Sequence, residues 1–226
     1  MASFFQLTLD TTGPQTPTFA IAAGAAFATS QTTVVNFTTA DSPTTGYQVK
    51  IWGNVDAAFN AAIQATEEAS EWITFSAEVA VKLSSGDGTK TLHAKIRDDV
   101  WNETAELSDT IVLDTTVPVI TISAGPEPTK VSKIAGKRTV TFSFQSDTKL
   151  QAWKVKVVPS GASTEGAGTT ILTTNGSTNM TGGTLEPATN EECTIDGRDL
   201  AVAAGADGEY TIKVFGQDLA GNWSLA

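Results

Sequence analysis

The chain is short of almost everything that reactive chemistry draws on. Its 226 residues include one cysteine, Cys193, and one histidine, His93. A single cysteine excludes an internal disulfide, so the fold needs no oxidising compartment. Cys193 lies in the strand-like stretch "EECTIDG" with no activating base recognisable nearby, and reads as a small buried hydrophobe. His93 stands in the alternating stretch "TLHAKIR" and reads as a plain strand position. Without a second histidine or an activated thiol no catalytic triad can be assembled. The GxSxG, HExxH and CxxC patterns are absent, and "AGKRT" at 135–139 has Arg138 where a phosphate loop needs Ser or Thr after its lysine. The sequence predicts no enzyme, no catalytic residue and no cofactor.

Positive charge is scarce as well. Fourteen Lys and Arg stand against 25 Asp and Glu, for a net charge of −11. That balance repels phosphate backbones, so nucleic acid is not an expected partner. No apolar run approaches the length of a membrane span, and membrane insertion is not expected. The opening "MASFFQLTLD" lacks the positive region and long apolar core of a signal peptide, so synthesis in a cytosol is expected.

What is present is β-rich and written twice. "LTLDTTGP" at 7–14 returns as "IVLDTTVP" at 111–118. "YQVKIW" (47–52) returns as "WKVKVV" (153–158), both with the period of a half-buried strand. "DGTKTLHAKIRDDVWNET" (87–104) returns as "DGEYTIKVFGQDLAGNWS" (207–224), matching Asp87 with Asp207, Gly88 with Gly208, Thr91 with Thr211, Asp98 with Asp218 and Asn102 with Asn222. This is internal duplication. The predicted organisation is an N-terminal strand at 1–9, one domain at 10–113 and a second at 114–226. Each copy has the length and turn rhythm of an immunoglobulin-like sandwich, so the fold class is all-β, two tandem immunoglobulin-like β-sandwiches. Strands are expected near 17–22, 32–37, 47–53, 72–76, 79–83, 90–97 and 107–113. In the second copy they are expected near 118–123, 138–144, 152–158, 193–195, 200–203 and 209–216. The Ala-rich stretch 56–72 is compatible with a helical turn or two and is expected as a sheet-crossing connection. Of the five tryptophans, Trp52 and Trp153 fall in matching strands and are expected between the sheets, while Trp101 and Trp223 stand near turns.

"LDTTVPVITIS", heading a domain that closes with "YTIKVFGQDLAGN", resembles the bacterial Ig-like repeats of surface adhesins. "TTGYQVKIWGNVD" and "GTKTLHAKIRDDVWNET" are similar to Ig-like proteins carried on bacteriophage particles. The resemblance covers nearly the whole chain. It implies a non-enzymatic structural or decoration component of a virion, on capsid or tail, made in the host cytoplasm. The implied partners are other virion proteins or copies of the chain itself. The alternative it leaves open is a receptor-binding or carbohydrate-binding tail or adhesin module, with a host cell-surface glycan as partner.

Three groups of candidate site residues follow. Asp98, Asn102, Asp114, Asp218 and Asn222 are hard oxygen donors near the repeat junctions, and the adhesin resemblance implies calcium there. The same residues initiate turns without any metal, because Asp and Asn side chains bond to their own backbone. The second copy carries an insert at 159–192, rich in Gly, Thr, Ser and Asn, expected as a polar hairpin that adds little to a core. Its Thr174, Asn175, Thr178 and Asn179 are candidate partner contacts. Finally, Phe4, Phe5, Leu7 and Leu9 precede the first DTT with the alternation of the strand "DTIVL" (109–113) that precedes the second. Residues 4–9 are therefore expected either to act as a donated strand that completes the second domain of a neighbour or fills an equivalent gap in another virion protein, or to be a frayed end or an extra edge strand on the subunit's own first domain.

Overall fold

A computed structural model describes residues 5–225. Phe4, one of the candidate contact residues, lies outside the described residues. The chain divides into two compact units between Thr115 and Thr116.

The first unit holds strands β1 (Thr18–Ile21), β2 (Phe27–Ala28), β3 (Thr32–Thr38), β4 (Gln48–Gly53), β5 (Ile73–Thr74), β6 (Glu78–Lys82), β7 (Gly88–Arg97) and β8 (Leu107–Leu113). They form two sheets, β1-β3-β6 and β2-β8-β7-β4-β5, with the strand order of an immunoglobulin-like sandwich. Period-two patterning decides which side chains meet. In β7, Leu92, Ala94 and Ile96 point inward and are fully buried, while His93, Lys95 and Arg97 face out. Ile21, Val35, Phe37 and Val81 answer from the opposite sheet. β8 closes the unit: it pairs antiparallel with β7 and drives Ile111 and Leu113 into the core.

The second unit holds β9 (Ile120–Glu127), β10 (Thr139–Ser146), β11 (Leu150–Val158), β12 (Thr169–Thr170), β13 (Thr181–Gly182), β14 (Glu191–Asp196), helix α1 (Gly197–Ala204) and β15 (Thr211–Asp218). One sheet runs β14-β10-β9. In the other, β11 is flanked by β12 and β13 on one edge and by β15 on the other. Phe144 and Trp153 meet edge-on in its core, centroids 5.1 Å apart.

Four expectations are corrected. Residues 200–203 belong to α1, not to a strand. Asp196 caps the helix by accepting from the Arg198 N–H at 2.8 Å, and Gly205 ends it at φ 88°. The stretch 56–72 makes isolated turns closed by Phe59, Ile63 and Ser70 and links β4 to β5 within one sheet instead of crossing to the other. Trp52 is not between the sheets. Its neighbour Ile51 takes the inward position opposite Ala94, so Trp52 faces out opposite His93, and the 56–72 connection covers it. The insert is not a separate polar hairpin. β12 and β13 each pair with β11 and not with each other, and Ile171, Met180 and Leu185 are buried in the core. Gly182 lies so close on the Trp153 ring that a Cβ there would sit 2.3 Å from it.

Candidate functional site

The repeated Asp and Asn residues build matched turns. The Asp98 carboxylate accepts from the N–H groups of Val100 and Asn102 at 3.0 and 2.8 Å, and from the Asn102 amide at 2.8 Å. Asp218 does the same for Gly221, Asn222 and the Asn222 amide, at 2.8, 2.9 and 3.1 Å. Each Asn amide also reaches the chain near its own unit's start, Asn102 at the Asp10 carbonyl and Asn222 at the Thr116 carbonyl. Asp114 donates its backbone N–H to Ala28. Among the described residues no three His, Cys, Asp or Glu side chains stand close enough to share a metal ion.

The insert residues hold the second unit together. Asn175 donates its backbone and amide N–H groups to Asp199, and Ser177 adds a third donor at 2.9 Å. Burial pushes the Asp199 carboxyl up, but the Ser177 and Asn175 donors outweigh that and hold it below the usual carboxylate range. Thr178 bridges to Thr194, and Asn179 donates to the Glu192 carbonyl. Thr174 is exposed.

Of the reactive groups, His93 Nδ1 meets Glu106 Oε1 at 2.6 Å on the outer face of its sheet. Cys193 is fully buried, and burial with the Glu191 and Glu192 charges pushes its thiol up to about 12. It is a neutral core side chain at pH 7.

A groove of about 1050 Å³ lies in the second unit. Val140, Phe142 and Ile195 of one sheet line it, Ile212 and Val214 of β15 face them, and Leu200 and Ala204 of α1 close one side. Ile122 stands on its rim, half exposed. The repeat explains its origin. In the first unit, Thr104 follows the Asp98 turn, donates its N–H to the Ile96 carbonyl and accepts from the Ile96 N–H through its hydroxyl. Ser224 makes the same pair of bonds with Gly216. From that point β8 runs along β7 and seals the first unit. Among the described residues β15 has β11 as its only strand partner; Trp223 and Ser224 bond to Gln217 and Gly216 on its other edge, and the rest of that edge borders the apolar groove. The residues that mark this place, Asp207, Tyr210 and Ile212, were not singled out from sequence.

Neither a family model nor a curated protein matches this sequence. Among solved structures, the fibronectin(III)-like modules of Clostridium thermocellum CbhA are 13% identical, with 91% of this chain and 88% of that one covered at a TM-score of 0.46. Chitinase ChiA74 from Bacillus thuringiensis is 14% identical, with 92% of this chain but 30% of that one covered, at a TM-score of 0.32. The class, an immunoglobulin-like β-sandwich module, rests on the strand order described above.

Proposed function

We propose that the chain is a non-enzymatic structural or decoration component of a bacteriophage virion, displayed on capsid or tail and assembled through strand and edge contacts. The observation that carries this reading is the edge of β15 that has no strand partner among the described residues and borders an apolar groove, because such an edge is a template for another chain. The resemblance of the DTT phrases and the turn-closing strands to Ig-like proteins of phage particles supports the virion setting. The partners are then other virion proteins or copies of this chain. The reading needs no cofactor. The test is composition of purified particles by mass spectrometry. Hundreds of copies per particle fit surface decoration and a handful fit a tail tip, whereas absence from particles overturns the proposal.

A second reading, binding of a host glycan by a tail or adhesin module, is favoured by Trp101. Its indole is 68% exposed beside the Arg97 guanidinium, the arrangement of an aromatic platform for a sugar face. A glycan array probed with the pure chain decides it: specific binding lost in Trp101→Ala supports this reading, and no binding removes it.

A further inference from the structure

We propose that residues 5–9 of a second copy fill the groove as an edge strand, running antiparallel to the start of β15 and the residues just before it, with Leu7 opposite Tyr210 and Phe5 opposite Ile212. This rests on the assembly reading above and names its partner and register.

The first unit supplies the template. There β8 pairs Gly88 with Leu113, Lys90 with Ile111 and Leu92 with Asp109. The duplication places Gly208, Tyr210 and Ile212 where Gly88, Lys90 and Leu92 stand. It likewise places Leu9, Leu7 and Phe5 where Leu113, Ile111 and Asp109 stand, each series followed by DTT. Phe5, Leu7 and Leu9 are 86%, 86% and 85% exposed, while Ile111 and Leu113 are buried. The segment has strand alternation and an apolar face but forms no strand where it lies.

Two features fit this segment to this groove. In the first unit the Asp109 carboxylate accepts from the Ile21 N–H at 2.7 Å. The corresponding position in the second unit opens onto the apolar groove, which suits Phe5. At the other end, Asp87 accepts from both the N–H and the hydroxyl of Thr115, at 2.9 and 2.8 Å. Its counterpart Asp207 lines the mouth of the groove, and the counterpart of Thr115 is Thr11. A donated strand therefore brings its own hydroxyl to a carboxylate already in place. Backbone bonds to β15 give affinity and the three apolar side chains give register. Donor and acceptor on one chain make the contact head-to-tail, closing as a ring or running on as a filament.

The experiment uses the full chain, a variant lacking residues 2–9, and a labelled peptide of residues 4–13. The full chain should self-associate with rising concentration in sedimentation velocity. The deletion variant should stay monomeric with an unchanged circular dichroism spectrum, and should bind the peptide saturably. Leu7→Asp in the peptide should abolish that binding. Asp207→Ala, an exposed change that leaves the core intact, should weaken it about tenfold, the loss expected for one charge-assisted hydrogen bond. A full chain that stays monomeric at every concentration, a deletion variant that ignores the peptide, or a Leu7→Asp peptide that binds equally well would each overturn the proposal. All arms use pure protein, so their failure leaves the virion assignment standing, and absence from particles leaves strand exchange standing.

Discussion

The Trp52 indole lies against the His93 imidazole with ring centroids 5.7 Å apart and planes 13° from parallel. The pair stands on the outer face of its sheet, yet Trp52 is only 7% exposed because the 56–72 connection folds over it. Trp52→Ala removes this buried ring and should cost about 3 kcal/mol of stability in urea titration. Trp101→Ala, at an exposed ring beside Arg97, should cost about 0.5 kcal/mol. Equal effects would show that the connection does not cover Trp52 in solution.

The Asp98 and Asp218 turns are expected to be independent of calcium. Both carboxylates are almost fully buried and already accept three N–H donors each. Melting midpoints in calcium and in chelator should coincide, while Asp98→Ala should cost about 2 kcal/mol by stranding those donors. A midpoint that rises with calcium would restore a structural ion to these turns.

The insert should behave as core. Met180 is fully buried beside the second unit's central strands, so Met180→Ala should destabilise by about 3 kcal/mol. Thr174→Ala, on its exposed surface, should be neutral. Denaturant midpoints of the two variants make the comparison.

Acid should weaken the second unit through three carboxylates. The Arg198 guanidinium holds Asp196 below the usual range, the Lys154 ammonium does so for Glu165, and the Ser177 and Asn175 donors hold Asp199 there against the effect of burial. On acidification these groups take up protons in the unfolded chain before they do in the folded one. Their stabilisation is therefore complete above the ordinary carboxylate range, about pH 4, and is lost as pH falls through it toward the depressed values. Asp199→Asn should be less stable than the parent at neutral pH, with the gap narrowing on acidification. A gap that holds constant to low pH contradicts the assignment.

Cys193 should be silent toward thiol reagents in the native protein at pH 7 and react fully in denaturant, since its thiol is both buried and held neutral. Rapid native labelling would contradict its burial.

Much of the architecture was legible because duplication and alternation are local signals. β7 could be read from "GTKTLHAKIR", and the paired turns from Asp98 and Asn102 and their repeats. Trp52 was misplaced because its strand presents two adjacent large apolar residues, Ile51 and Trp52, and only the pairing register decides which points inward. α1 was overlooked although Asp196 and Gly205 frame it, because its short apolar run "LAVAA" also suits a strand. The insert's share of the core was hidden by its composition. Ile171, Met180 and Leu185 lie far apart among polar residues, and only the folded path brings them onto Trp153 and its neighbours. The donated-strand reading of residues 4–9 pointed to the second unit but not to the lining of the groove, because Phe142, Ile195, Leu200 and Ile212 come from four separate elements.

The stripe of Phe5, Leu7 and Leu9, held in water at 85% exposure or more, also acts as a thermometer. Near room temperature its removal from water is driven by solvent entropy, with little enthalpy, and carries a negative heat capacity change. That driving force fades on cooling. An association built on this stripe should loosen in the cold and tighten on warming toward physiological temperature. Particles or oligomers that depend on it would then shed the chain when chilled and take it up again when warmed.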